Sequence, residues 1–153
     1  MNLAGHTTRK RADSEQGAAL VEFAIVAILL FTLLFGIIEA GWGFNQQLEV
    51  RHGAREGARL AATNYPGGDA AITAEVCSRM HFSGDNTATT VTITKTGTEI
   101  GSTVAVTVST PYAGLTGFLD GIFGGANIDS TVEIRLEQVA DGSLGTGATN
   151  GCT

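Results

Sequence analysis

The chain has 153 residues, 43% of them hydrophobic and only 16% charged, with a formal net charge of -6. That length allows one domain plus an anchor rather than two full domains. The acidic balance leaves no basic surface that would displace counterions from phosphate, so nucleic acid is not an expected partner.

Residues 1–17 form a polar leader carrying Arg9, Lys10 and Arg11 together. A basic cluster just before an apolar run holds that end in the cytoplasm and sends the rest of the chain outward. The uncharged run 23–38 has 16 residues, about 24 Å of helix against a hydrocarbon core of about 30 Å. Counted from Ala18 the run has 21 residues, about 32 Å, but then includes Glu22, which would lie about 6 Å inside the cytoplasmic boundary. The run is longer than the apolar core of a cleaved secretory signal, and no Ala-x-Ala-like site follows it. Hydropathy alone therefore gives an uncleaved single-span anchor.

No helix breaker interrupts the chain before Thr63, so one long helix is expected, with 18–40 in the membrane and 41–63 outside it. Gly41-Trp42-Gly43-Phe44 marks the outer interface, where an aromatic ring is comfortable among headgroups, and Glu39 stands at the same boundary. In the outer half Gly53, Gly57 and Ala61 recur every four residues, and Ala54, Ala58 and Ala62 make a second row. Small residues so spaced let another backbone approach closely. Arg51, Arg55 and Arg59 share a face, with Glu56 in reach of Arg59 and His52 in reach of Glu56. Two readings stand side by side: a subunit contact through Gly53, Gly57, Ala61, Arg55, Glu56 and Arg59, or a solvated basic face over the chain's own sheet.

Residues 64–140 read as a small α+β head. Asn64-Tyr-Pro-Gly-Gly-Asp69 ends the long helix and starts another, with Asp69 as its N-cap and Ile72, Val76 and Met80 on one apolar face. Strands are expected at 88–96 and 103–110, where Val91 and Ile93, then Val104, Val106 and Val108, alternate with polar or small residues. Leu115, Phe118, Leu119, Ile122 and Phe123 suit a short amphipathic helix packed on the core, with contact to the membrane or a partner as the other reading. A third strand covers 128–139. The expected fold is α+β: a long N-terminal helix against a three-stranded, mainly antiparallel sheet with one or two short helices, and a flexible tail at 141–153.

Cys77 and Cys152 both fall beyond the apolar run. In an oxidising compartment they allow one disulfide; as two unrelated thiols they are equally consistent with the spacing, which does not fix geometry. His6, His52 and His81 belong to no nucleophile elbow, phosphate loop or His-x-x-x-His pair. Cys77, His81 and Asp85 are spaced as chance often spaces them. Neither an enzyme, a metal nor a cofactor is expected.

The segment Gly17-Ala18-Ala19-Leu20-Val21-Glu22 resembles a type IV prepilin processing site, in which a prepilin peptidase cuts after the Gly. That resemblance implies Ala18 as the first mature residue and Glu22 as the fifth-position acid, facing the new amine of a neighbouring subunit. An unpaired carboxylate in lipid is costly and an amine relieves it. Ala19-Leu20-Val21-Glu22-Phe23-Ala24, Gly36-Ile37-Ile38-Glu39 and, most specifically, Ala54-Arg55-Glu56-Gly57-Ala58-Arg59 are similar to the TadE-like proteins of the tight-adherence (Tad, Flp) pilus system. The similarity covers about residues 15–63 well and the head weakly.

What the resemblance implies is a pilin-like minor pilin, or pseudopilin, of a Tad-type (type IVb-like) pilus. Such a protein sits once through the bacterial inner membrane, N-terminus inside and head extracytoplasmic, is processed after Gly17, and enters a surface filament serving assembly, adhesion or secretion. Its implied partners are the prepilin peptidase, other pilin subunits, an assembly ATPase and platform proteins. The alternative is an uncleaved single-pass scaffold of the same machinery. A membrane-tethered enzyme or metal binder is the third reading.

Overall fold

The computed structural model describes residues 8–80, 88–118 and 120–152. Helix α1 runs Thr8–Ala62, followed by α2 (Gly68–Arg79), β1 (Thr90–Lys95), β2 (Thr103–Pro111), the one-turn α3 (Asp120–Phe123), β3 (Asn127–Arg135) and β4 (Thr146–Gly151). The chain divides into two compact units, Met1–Ile38 and Glu39–Thr153.

The described part of the first unit is α1 up to Ile38, polar at its start and apolar from Ala18 on except for Glu22. Leu20, Phe23, Ile25, Ile28, Leu30 and Ile37 are each at least 60% exposed, and they point to every side of the helix. A helix that is apolar all round is stable in lipid and not in water. Among the described residues this helix alone is long and apolar enough to cross a membrane.

The second unit is built on alternation. Val104, Val106 and Val108 of β2 are fully buried, as are Val91 and Ile93 of β1, while the residues between them are partly exposed. Each such side chain contributes about 2 kcal/mol of burial. They form one core with Val50, Ala54, Ala58 and Ala61 of α1, Ile72 and Val76 of α2, its C-cap Met80, and Leu136 and Leu144 from the connections. On the opposite face, hydroxyl pairs cross the strands, Thr92 with Thr149 at 3.0 Å and Thr107 with Thr131 at 2.9 Å.

The sheet has four strands rather than the expected three, in the order β3-β2-β1-β4, and every pairing is antiparallel. The added strand comes from the tail that composition marks as flexible. Thr-Gly-Ala-Thr-Asn-Gly has no apolar alternation, so nothing local announces it. It becomes a strand because β1 has an open edge and the tail is fixed at both ends. The Cys152 amide donates to the Thr89 carbonyl at 2.9 Å, and a bulge near Thr92–Thr94 absorbs the register.

Three smaller expectations also change. Asp69 is not the N-cap of α2; Gly67 holds that position in a left-handed conformation, and Asp69 lies inside the first turn. β3 stops at Arg135 because Leu136 turns into the core, exchanging backbone bonds with Ser102 and Gly101. The helix expected over 115–123 shrinks to α3, in a segment with glycines at 114, 117, 121, 124 and 125. Leu115, Phe118 and Ile122 stay 48–74% exposed instead of joining the core.

Candidate functional site

Gly17, Ala18 and Glu22, the residues of the processing segment, lie together in α1, and all three are exposed. Gly17 has open space where a side chain would stand. Among the described residues no basic group pairs with Glu22. The Gly17–Ala18 bond and the Glu22 carboxylate are both open at the helix surface.

The small-residue face of the outer helix is occupied by the chain itself. Gly53, Gly57 and Ala61 are buried. A Cβ at Gly57 would lie 3.0 Å from Val106 of β2 and 3.1 Å from Val76 of α2, and one at Gly53 would strike Met80. Within the chain, the close approach at these glycines is made by Val76 and Ile72 of α2, Met80 just after it, and Val106 of β2.

The charged residues of that stretch remain at the surface. Arg59 grips Glu56 through Nε at 3.1 Å and Nη2 at 2.8 Å, and Arg79 reaches the same carboxylate at 2.9 Å. The Arg59 hydrogen bond, outweighing partial burial, holds the Glu56 carboxyl below its usual range. Arg55 is exposed.

Cys77 and Cys152 form a disulfide, with Cα atoms 5.6 Å apart across 75 residues. It joins the last turn of α2 to the chain just after β4. His81 and Asp85, the other members of the imagined metal cluster, lie outside the described residues, as does His6. Among the described residues no group of three or more His, Cys, Asp or Glu is placed to hold a metal ion.

Two buried carboxylates organise the head, and neither was foreseen in that role. Glu39, fully buried, accepts hydrogen bonds from the Tyr112 hydroxyl at 2.9 Å, the Leu115 and Thr116 amides at 3.1 Å each, and the Thr116 hydroxyl at 2.6 Å. One and two turns further along the same face, Trp42 donates its indole N–H to the Ala113 carbonyl at 2.9 Å. Gln46 donates to that carbonyl and accepts from the Ala113 amide. Positions 39, 42 and 46 follow the i, i+3, i+7 spacing that keeps side chains on one helix face. Burial, and then the bond to Glu39, pushes the Tyr112 phenol up to about 12.

Asp69, also buried, repeats the arrangement. It accepts from the Gly145 amide at 2.7 Å, the Thr146 amide at 2.8 Å and the Thr146 hydroxyl at 2.7 Å. Buried carboxylates persist only when donors replace the lost water, and each of these is satisfied by a loop about 76 residues away in sequence. A signal for Glu39 was available in its position: an acid on a helix directly after an uncharged apolar run needs donors from somewhere. Its partner loop was not legible.

The fold and these sites define a protein with one apolar N-terminal helix and a small, disulfide-closed α+β head. Residues 17–59 match a protein family described as TadE-like protein. The matched stretch contains Gly17, Ala18 and Glu22, Glu39 and the buried Gly53–Gly57 face, and it ends at Arg59. No curated protein and no solved structure matches the chain.

Proposed function

We propose that this chain is a minor pilin, or pseudopilin, of a Tad-type pilus, inserted once in the inner membrane with its head outside and cut after Gly17 by a prepilin peptidase. The TadE-like match supports a part in the Tad pilus system, and the apolar helix fits a single-pass membrane protein. Arg9, Lys10 and Arg11 ahead of the apolar run favour an N-terminus inside. The observation that carries the reading is the exposed Gly17-Ala18…Glu22 segment at the head of an all-round apolar helix.

In this reading the released Ala18 amine and the Glu22 carboxylate of adjacent subunits pair within the apolar filament core, which sets their axial register. The head, closed by its own disulfide, is carried outward as a preformed unit. The buried carboxylates hold loops and have no catalytic part.

Glu22→Ala tests the assembly step. The variant inserts in the membrane as the parent does and is lost from sheared filament fractions. Glu22→Asp restores part of the incorporation. Unchanged incorporation of Glu22→Ala contradicts the proposed register pairing.

A further inference from the structure

We propose that the chain around Leu115, Phe118 and Ile122 lies in the outer headgroup layer of the bilayer and contacts lipid through those three side chains. The inference rests on reading residues 18–40 as the membrane span. The run from Ala18 to Ile38 is about 32 Å of helix against a core of about 30 Å, so the residue after it stands at the outer boundary. That residue is Glu39, which receives two amides and a hydroxyl of this loop. Trp42 and Gln46 hold the neighbouring Ala113. A loop bonded to the residue that ends the span is held at headgroup depth.

Its composition suits that depth. Ile122 is 74% exposed, Leu115 55% and Phe118 48%. Asp120 is the single charged residue between 112 and 126; it is exposed, with its carboxylate beside Gly114. The loop therefore shows three large apolar side chains and a single charge at its surface. Next to the loop, Ala40, Gly43 and Phe44 of α1 face Tyr112, Ala126 and Ile128 across a mostly apolar groove of about 390 Å³, wide enough for part of an acyl chain. Apolar side chains set into the headgroup boundary add membrane affinity in proportion to the area they bury.

The test uses the full chain, disulfide intact, in vesicles of phosphatidylethanolamine and phosphatidylglycerol. An environment-sensitive dye is placed on Ile122→Cys. Leu30→Cys in the apolar run and Glu99→Cys in the β1–β2 connection, at the end of β2 away from Pro111, serve as references. All three positions are exposed, so the substitutions leave the core intact. With brominated acyl chains, Leu30→Cys and Ile122→Cys lose fluorescence while Glu99→Cys keeps it. Quenching at Leu30→Cys without quenching at Ile122→Cys overturns the loop's lipid contact and leaves the span standing. A blue-shifted but unquenched Ile122→Cys assigns the loop to a protein surface and equally overturns it. Absence of quenching at Leu30→Cys removes the span and the loop proposal together.

Discussion

At Asp69 a buried carboxylate takes the amides of Gly145 and Thr146 and the Thr146 hydroxyl; at Glu39 another takes the amides of Leu115 and Thr116 and the Thr116 hydroxyl. Even the next turn is shared: the threonine oxygen then accepts an amide two residues on, from Ala148 in one loop and Phe118 in the other. The leucine of each loop has the opposite fate. Leu144 is fully buried in the core, and Leu115 is 55% exposed. The same polar clamp closes a hydrophobic core at one place and displays apolar surface at the other. The difference lies in what each leucine meets: Leu144 packs among the core residues of the head, and Leu115 stays at the surface.

The two clamps also differ in reinforcement, which orders the expected effects of breaking them. The Asp69 side has a covalent partner in Cys77–Cys152. Cys77→Ser with Cys152→Ser frees a 75-residue closure and costs about 4 kcal/mol, measured by denaturant unfolding in detergent. Asp69→Ala leaves the Gly145 and Thr146 amides without their acceptor and costs about 3 kcal/mol. In the double serine background it releases β4 altogether, seen as loss of amide protection over residues 146–151.

Glu39→Ala acts more locally, because no core side chain leaves with the loop. Amide exchange at Leu115 and Thr116 rises about tenfold or more, and proteolysis moves to 113–118. The same variant sharpens the comparison through Tyr112. In the parent its phenol titrates near 12, above the ordinary value of about 10. Its contribution to stability is therefore fully present below pH about 10 and lost as pH rises through the folded value. In Glu39→Ala the tyrosinate forms at lower pH, read by ultraviolet titration.

The smallest effect is expected at Glu56, a carboxylate paired with exposed guanidinium groups rather than backbone amides. Glu56→Gln lowers Tm by about a degree. Since the folded value is depressed, the parent's small gain is present above the usual carboxylate range and fades as pH falls through the folded value. A Glu56→Gln effect as large as that of Asp69→Ala erases the distinction between the two kinds of partner.

Much of the fold was legible in the sequence, for reasons that also explain what was not. The apolar run, the Val104–Val106–Val108 alternation and the Ile72–Val76–Met80 face are local periodicities, and the structure has an element at each. The TadE-like stretch was likewise readable from short motifs, among them the one around Glu39. β4 was hidden because its residues carry no periodicity; an open edge and a disulfide impose its conformation. The Gly53–Gly57 row left its neighbours open, since small residues specify distance and not partner; within the chain these are Val76, Met80 and Val106. Glu39 read as a boundary charge because its donors lie 73 to 77 residues away, beyond any local pattern.

The intact mass of the membrane-extracted chain, expressed with and without a prepilin peptidase, tests the pilin reading most directly. The expected result is a peptidase-dependent loss of residues 1–17 and a new terminus at Ala18. An unchanged full-length mass, where a control prepilin is cut, contradicts it and makes the chain a permanent single-pass scaffold.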